Sequence, residues 1–220
     1  MPLSPSQVAS LSAAIDGYAF PPAYFDYTVG APVIGLTMTD VESRIRTDLM
    51  CGNGAGIKDG LSNVLYWGFA QMGGLAAVRV DRFRSAVSLA HLGAAAVLFA
   101  TPRPLLADIA ALGLPQFSGV SFVSKVRMFL DPAGSATLDN QIMKIHAALP
   151  TTVLATVHRR TTSIPVTSGN SAAYEAWCDR LDYIKSTYLP GVRVVDVERG
   201  LFHLVQTGQV AHAATLLVEA

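Results

Sequence analysis

The chain has 220 residues, which is enough to bury a substantial core in one large domain or two small ones. Its 16 basic and 16 acidic residues balance, which argues against a non-specific DNA coat but leaves a local basic face open. Its two cysteines are too few for the four thiolates of an iron–sulfur cluster or an all-cysteine zinc site, and no cofactor is expected.

Several features favour a cytoplasmic protein without a membrane partner. Two cysteines do not suggest a disulfide scaffold, and the start MPLSPSQVAS has neither the basic nor the apolar region of a secretory signal. The most apolar run, residues 88–100, is interrupted by His91 and is shorter than the ~20 residues of a membrane-spanning helix. Because His91 has no histidine or carboxylate partner at metal-site spacing, no metal site is expected.

The first hundred residues predict helices joined by glycine- and proline-rich segments. Thr39 and Glu42 have the spacing of a capping box that would open a helix. Residues 50–60 are rich in glycine but lack the pattern of a nucleotide-binding loop, so a flexible connector is predicted. Residues 61–69 predict a buried helix, and residues 81–100 predict one long, alanine-rich helix.

Residues 104–131 predict two helices joined by a short hairpin. An apolar helical pattern ends at Gly113, and a second pattern begins at Val120 and ends at Asp131, because Pro132 disfavours further helix. Such a hairpin presents backbone N–H groups and a helix N-terminus at its outer edge. These groups can bind phosphate oxygens without reading the base sequence.

Two residues of this region suggest chemistry. Lys125 lies in the middle of the second helix among apolar side chains, where burial would favour the neutral amine, a nucleophile suited to Schiff-base chemistry. Asp139 precedes the next apolar period, where an N-cap belongs, and its carboxylate could orient the amine or stabilise a cationic sugar ring. A snorkelling lysine and an ordinary helix cap are the alternatives. The occurrence of both residues in this order favours the chemical interpretation.

Other residues are candidates for contact with nucleic acid. Tyr66 and Trp67 offer π-faces on which a base could stack, and Asn63 lies one turn earlier, although core positions are favoured for both rings. Arg159 and Arg160 lie in a threonine-rich segment and could contact phosphates, or they could form a solvated basic loop.

The last third returns to helix. Helical patterns cover residues 171–188 and 194–206, and residues 210–219 are expected to form an apolar helix or tail. The whole chain has roughly seven to nine such patterns and little strand. We therefore expect an all-α protein, folded as one body or as two lobes.

At this point the motifs resemble those of a known family. Residues 119–128, GVSFVSKVRM, followed by residues 138–142, LDNQI, resemble the helix–hairpin–helix DNA glycosylases, most closely the 8-oxoguanine glycosylase branch with its OGG-like bacterial and archaeal members. Residues 58–68, KDGLSNVLYWG, also look like an element of the bacterial OGG-like proteins. The motif-bearing resemblance covers residues 55–145.

The resemblance implies a fold and a catalytic pair. It implies one helical glycosylase-like domain over residues 1–220, possibly two lobes with the active site between them, and the helix–hairpin–helix at about 104–131. Lys125 would attack C1′ of a modified nucleoside in double-stranded DNA. Asp139 would assist proton movement and stabilise the developing positive charge. Asp131 is the rival for the role of the carboxylate.

The resemblance also assigns DNA contacts. Backbone groups of Gly119, Val120 and Ser121 would hold the phosphate 3′ of the lesion, with Arg159 and Arg160 as weaker backbone contacts. Asn63, Tyr66 and Trp67 are weak candidates for the base pocket. The hairpin lacks the compact glycine–valine–glycine of the family, so its grip on phosphate can differ.

The family branch implies that the substrate is an oxidised purine such as 8-oxoguanine, with β-elimination as a possible second activity, in a nucleoid-associated protein. One alternative is a phage-defence glycosylase that removes hypermodified bases, such as glucosylated hydroxymethylcytosine. Another is a helix–hairpin–helix module that binds DNA without chemistry, and a third is a helical protein-interaction domain.

Overall fold

A computed structural model of the chain describes residues 2–101 and 103–220, and this part is mostly helical. The helices are α1 (Pro5–Asp16), α2 (Met38–Leu49), α3 (Gly54–Gly68), α4 (Leu75–Ala86), α5 (Leu89–Phe99), α6 (Leu106–Ala111), α7 (Val120–Leu130), α8 (Met143–Ala148), α9 (Ser168–Tyr188), α10 (Val194–Gln206) and α11 (Val210–Glu219). A 3-10 turn covers Val153–Thr156, and strands β1 (Phe25–Asp26) and β2 (Ala31–Pro32) pair antiparallel. The expectation of a helical protein is confirmed at this level. None of the described helices is both long and apolar enough to span a bilayer.

The described residues fold into two compact units, and the chain of one unit is interrupted by the other. The central unit is Phe20–Asp131. The terminal unit combines the residues up to Ala19 with Pro132–Ala220.

The central unit is built around α3, which packs against α2, α4, α5 and α7. A helix with neighbours on several sides needs apolar or small residues all round, and Ile57, Leu61 and Val64 are fully buried. Gly60 permits the close approach of α2, because a Cβ atom at this position would lie 2.9 Å from the Cβ of Asp48. The buried helix predicted over residues 61–69 is therefore the second half of α3.

The predicted capping box of α2 is wrong by two residues. Thr37, not Thr39, is the N-cap: its Oγ1 accepts from the backbone N–H of Asp40, and the Asp40 carboxylate accepts from the Thr37 N–H at 2.8 Å. Glu42 is buried instead of lying at the cap. The Thr37 hydroxyl also donates to the Asp40 carboxylate at 2.7 Å, and this bond together with the one from the Thr37 N–H holds the pKa of Asp40 below its usual range.

Two further local predictions are wrong. Part of the glycine-rich segment over residues 50–60 is not a connector, because α3 already begins at Gly54. The single helix predicted over residues 81–100 is two helices, α4 and α5. The Oγ of Ser88 accepts from the N–H of His91, and the His91 ring accepts from the Ser88 N–H at 3.3 Å, which starts a new helix.

The terminal unit is built around α10, which packs against α1, α9 and α11. Gly200 permits the contact with α1, since a Cβ there would lie 2.8 Å from the Cγ1 of Ile15. The two helices predicted over residues 171–188 and 194–206 are present as α9 and α10, and residues 210–219 form a helix, α11, and not a tail. Thr167 caps α9 by accepting from the N–H of Asn170.

Candidate functional site

The hairpin between α6 and α7 has a defined shape. Gly113 has φ +64° and Gln116 has φ +70°, so the chain twice enters the left-handed region, the second time at a non-glycine residue. Leu114 and Phe117 are buried and anchor the hairpin in the core of the central unit. The side-chain Oε1 of Gln116 accepts from Nη1 of Arg79 at 2.9 Å, which ties the left-handed residue to α4.

The start of α7 carries the three residues expected to hold a phosphate. Gly119 is the N-cap, with φ −120° and ψ 156°, and no described side chain caps this N-terminus. Val120 and Ser121 form the first positions of the helix, where N–H groups have no acceptor within the helix itself. The backbone donors expected at this position are therefore present.

Lys125 lies in a slot of the central unit that we call the lysine slot, formed by Gly68, Ser121 and Phe122. The lysine side chain is only 6% exposed. Its Nζ donates to the carbonyl of Ser121 at 3.3 Å and lies 5.4 Å from the centre of the Phe122 ring. A snorkelling lysine would hold its amine in bulk water, and this burial does not fit that alternative.

The slot has little spare space. A Cβ atom on Gly68 would lie 2.7 Å from Cε1 of Phe122 and 3.4 Å from Cδ of Lys125. The Phe122 ring in turn stacks on the Phe69 ring with centroids 4.7 Å apart. The guanidinium of Arg79 lies 5.6 Å from the centre of the Phe69 ring. Stacked rings and a glycine therefore fix the aliphatic part of the lysine.

The three candidates for a base pocket lie on α3. Asn63 is fully buried and binds the backbone of Phe25 twice, accepting from its N–H at 2.8 Å and donating to its carbonyl at 3.1 Å. Trp67 is buried, and its Nε1 donates to the sulfur of Met38. Of the three, Tyr66 alone keeps a partly exposed side chain, with its ring edge-on to Phe25.

Asp139 lies in the terminal unit and is half-buried. One carboxylate oxygen accepts from the N–H groups of Gln141 and Ile142 at 2.9 and 3.2 Å, and its carbonyl accepts from Met143 at 3.1 Å. Asp139 thus caps the turn that leads into α8, but the N-cap of this helix is Ile142, so the helix cap predicted at Asp139 is wrong by three residues. The rival carboxylate, Asp131, is the C-cap of α7 and the last residue of the central unit.

A polar cluster that the sequence did not predict surrounds the Tyr18 hydroxyl in the terminal unit. Burial raises the pKa of Tyr18, the negative charges of Glu198 and Asp139 raise it further, and Arg199 lowers it. The guanidinium of Arg199 lies 5.2 Å from the centre of the Tyr18 ring. The charge of Asp139 therefore acts on the same buried phenol as the charges of Glu198 and Arg199.

The sequence contains one signal that could have identified this cluster. Glu198 and Arg199 are adjacent charged residues within the apolar helix α10, and both are buried. Fully buried charges are rare unless they are paired or hydrogen-bonded, so a charged pair inside an apolar pattern indicates a specific role.

The basic loop, residues 158–165, is held in a fixed shape by one buried side chain. Asn170 accepts from the His158 N–H at 2.8 Å and donates to the carbonyls of His158 and Pro165 at 2.8 and 2.7 Å. Arg159 and Arg160 are exposed on this loop. Two guanidinium groups are therefore displayed from a braced backbone.

The basic loop is joined to the residue that follows Asp139. The side-chain Nδ2 of Asn140 donates to the carbonyl of Thr162 at 3.2 Å. Within the terminal unit, this bond joins the turn that Asp139 caps to the basic loop.

Among residues 2–101 and 103–220, no group of three or more His, Cys, Asp or Glu side chains is arranged to hold a metal ion. Comparisons of the chain with protein-family models, with curated proteins and with solved structures find no match.

Proposed function

We propose that this protein is a DNA glycosylase of the helix–hairpin–helix type, which extrudes a modified base from the duplex and removes it through Lys125. The observation that carries the proposal is the position of this lysine. It is almost fully buried, and it lies in the second turn of a helix entered from a tight hairpin. Extruding a base costs a few kcal/mol, least for a damaged base, which contributes to selectivity.

In the proposed reaction the neutral amine of Lys125 attacks C1′ of the extruded nucleoside. The N–C1′ bond forms while the glycosidic bond breaks, and the electron pair of the broken bond leaves with the base, which takes up a proton. The lysine nitrogen loses its protons and the sugar ring opens, with O4′ protonated, to give a Schiff base. Water then releases the sugar aldehyde, or loss of the C2′ proton breaks the C3′–O bond by β-elimination.

Asp139 is proposed to stabilise the positive charge that develops on the sugar and to move the proton between the amine and the base. A second support is its electrostatic setting, since its charge acts on the same buried phenol as Glu198 and Arg199. Lys125 belongs to the central unit and Asp139 to the terminal unit.

DNA would be bound by two kinds of group. Backbone N–H groups of Gly119, Val120 and Ser121 would hold a phosphate, and Arg159 and Arg160 would contact the backbone at another point. These contacts are independent of base sequence and suit an enzyme that searches along a duplex. An oxidised purine of the 8-oxoguanine type is the proposed substrate, on the family resemblance alone.

The test is the release of free base, measured by mass spectrometry. The wild type, Lys125→Ala and Lys144→Ala are each incubated with duplexes that contain 8-oxoguanine or glucosylated hydroxymethylcytosine. Lys144 is an exposed lysine of α8 and is the matched control. We expect base release by the wild type and the control and none by Lys125→Ala. Salt-dependent duplex binding without release from either DNA would contradict the proposal and favour a binding module.

A further inference from the structure

Asp139 follows a buried segment, Ser135–Leu138, that is fixed by side chains of two helices. All four residues of this segment are buried, although none lies in a helix or strand. Buried backbone carbonyls need donors, and without secondary structure these donors must come from side chains. The segment therefore depends on specific hydrogen bonds for its shape.

Two hydrogen bonds supply this need and a third fixes the Thr137 side chain; we call the three bonds the clamp. The Tyr174 hydroxyl donates to the carbonyl of Ala136 at 2.8 Å, and Nε1 of Trp177 donates to the carbonyl of Thr137 at 3.0 Å. Tyr174 and Trp177 are three residues apart on α9, so both reach the same side of the segment. The third bond runs from Oγ1 of Thr137 to Oε1 of Glu198 at 2.7 Å.

The Thr137–Glu198 bond is not explained by packing. Thr137 is 5% exposed and Glu198 is 4% exposed. The Glu198 carboxylate is therefore removed from water, and the Thr137 hydroxyl is one of the groups that replace its hydration. Replacing buried polar partners by apolar groups of the same shape is often neutral or stabilising. An apolar pair could therefore pack equally well at these two positions. The presence of a polar pair indicates that its directional hydrogen bond is needed to fix the position of the Thr137 backbone.

We propose that Thr137 and Glu198 are positioning residues that fix Asp139 for base release, an inference that rests on the proposed function. Only Leu138 separates Thr137 from Asp139, so a clamp on the first constrains the backbone of the second. On the other side, Asp139 is held by the N–H groups of the turn that it caps. The backbone of Asp139 is thus held from both directions, by the clamp before it and by the turn after it.

The test compares Thr137→Val, which keeps the shape and removes the donor, with Thr137→Ser, which keeps the donor. Base release is measured in single turnover on the 8-oxoguanine and glucosylated hydroxymethylcytosine duplexes. Borohydride trapping on a duplex with an abasic site reports the Lys125 amine separately, because no base has to leave. Duplex affinity is measured in parallel, and Trp177→Phe, which removes another clamp bond, is the second variant.

We expect Thr137→Val to slow base release by about 10- to 100-fold, as displaced catalytic groups do. Trapping and affinity should stay at the wild-type level, and Thr137→Ser should restore most of the rate. Equal base release by Thr137→Val and wild type would overturn the inference. So would a parallel loss of release, trapping and affinity in both Thr137→Val and Trp177→Phe, which would show a purely structural role. If the wild type releases no base from either duplex, the proposed function fails, and this inference fails with it.

Discussion

Gly68 provides a direct test of the lysine slot, because its missing side chain is what lets Phe122 lie against α3. We expect Gly68→Ala to destabilise the protein and to slow trapping by Lys125. The added Cβ would lie 2.7 Å from Cε1 of Phe122, about 0.7 Å closer than the 3.4 Å at which ordinary contact begins. The ring cannot move away freely, because it is stacked on Phe69 and lies edge-on to Phe117 at 6.2 Å.

The magnitude follows from two opposing effects. Forcing an extra carbon into a packed core costs about 1–3 kcal/mol. Replacing glycine by alanine inside a helix contributes about 0.5–1 kcal/mol in the other direction, and less at Gly68, which is the last residue of α3. The net expectation for Gly68→Ala is a loss of about 1–2 kcal/mol in the free energy of unfolding.

Gly93→Ala is the matched control, because a Cβ at this position on α5 meets no atom within 4 Å. It should raise the free energy of unfolding by about 0.5–1 kcal/mol. Urea unfolding of both variants, followed by circular dichroism, measures the two changes. Borohydride trapping on an abasic-site duplex then shows whether displacing Phe122 also displaces the amine. A Gly68→Ala protein that is as stable as Gly93→Ala and traps at the wild-type rate would refute the lysine slot.

Three other predictions concern single contacts. Joint replacement of Arg159 and Arg160 by alanine should reduce the slope of log duplex affinity against log salt by about 1.8, and an unchanged slope would remove them from the DNA interface. Burial alone would raise the pKa of Asp196, but the hydrogen bonds and charge of Arg193 hold it below its usual range. Asp196→Asn should therefore cost about 1 kcal/mol at neutral pH, and this cost should disappear as the pH falls through the folded-state pKa; a pH-independent cost would contradict the ion pair. Asn63→Leu leaves the backbone of β1 without its partners and should cost about 1–3 kcal/mol in urea unfolding, whereas a neutral effect would show that solvent replaces the amide.

Local patterns predicted the helices well where the apolar period and the ends of the helix agreed. The patterns over residues 194–206 and 210–219 have the bounds of α10 and α11. The same approach failed over residues 81–100. The many alanines there have high helix propensity, so the sequence pattern shows no break where α4 ends and where Ser88 caps the start of α5.

The site was predicted only where it depends on neighbours in the sequence. The burial of Lys125 follows from the apolar residues around it. Asp139 was expected to cap a helix, but it caps the turn before α8, because the helix begins only at Met143. The cluster around Tyr18 could not be predicted, because α1 and α10 are joined through the whole central unit and no local pattern links their residues. The bonds of Asn63 and Asn170 to distant backbone groups were missed for the same reason.

The central claim is that the amine of Lys125 is the nucleophile, and adduct mapping tests it most directly. The chain has four lysines, Lys58, Lys125, Lys144 and Lys185, so a trapped DNA adduct can be assigned after proteolysis. The wild-type protein is trapped with borohydride on an abasic-site duplex, digested and analysed by mass spectrometry. We expect the adduct on the peptide that contains Lys125 and no adduct in Lys125→Ala. An adduct spread over the other three lysines, or an equal yield from Lys125→Ala, would contradict the account.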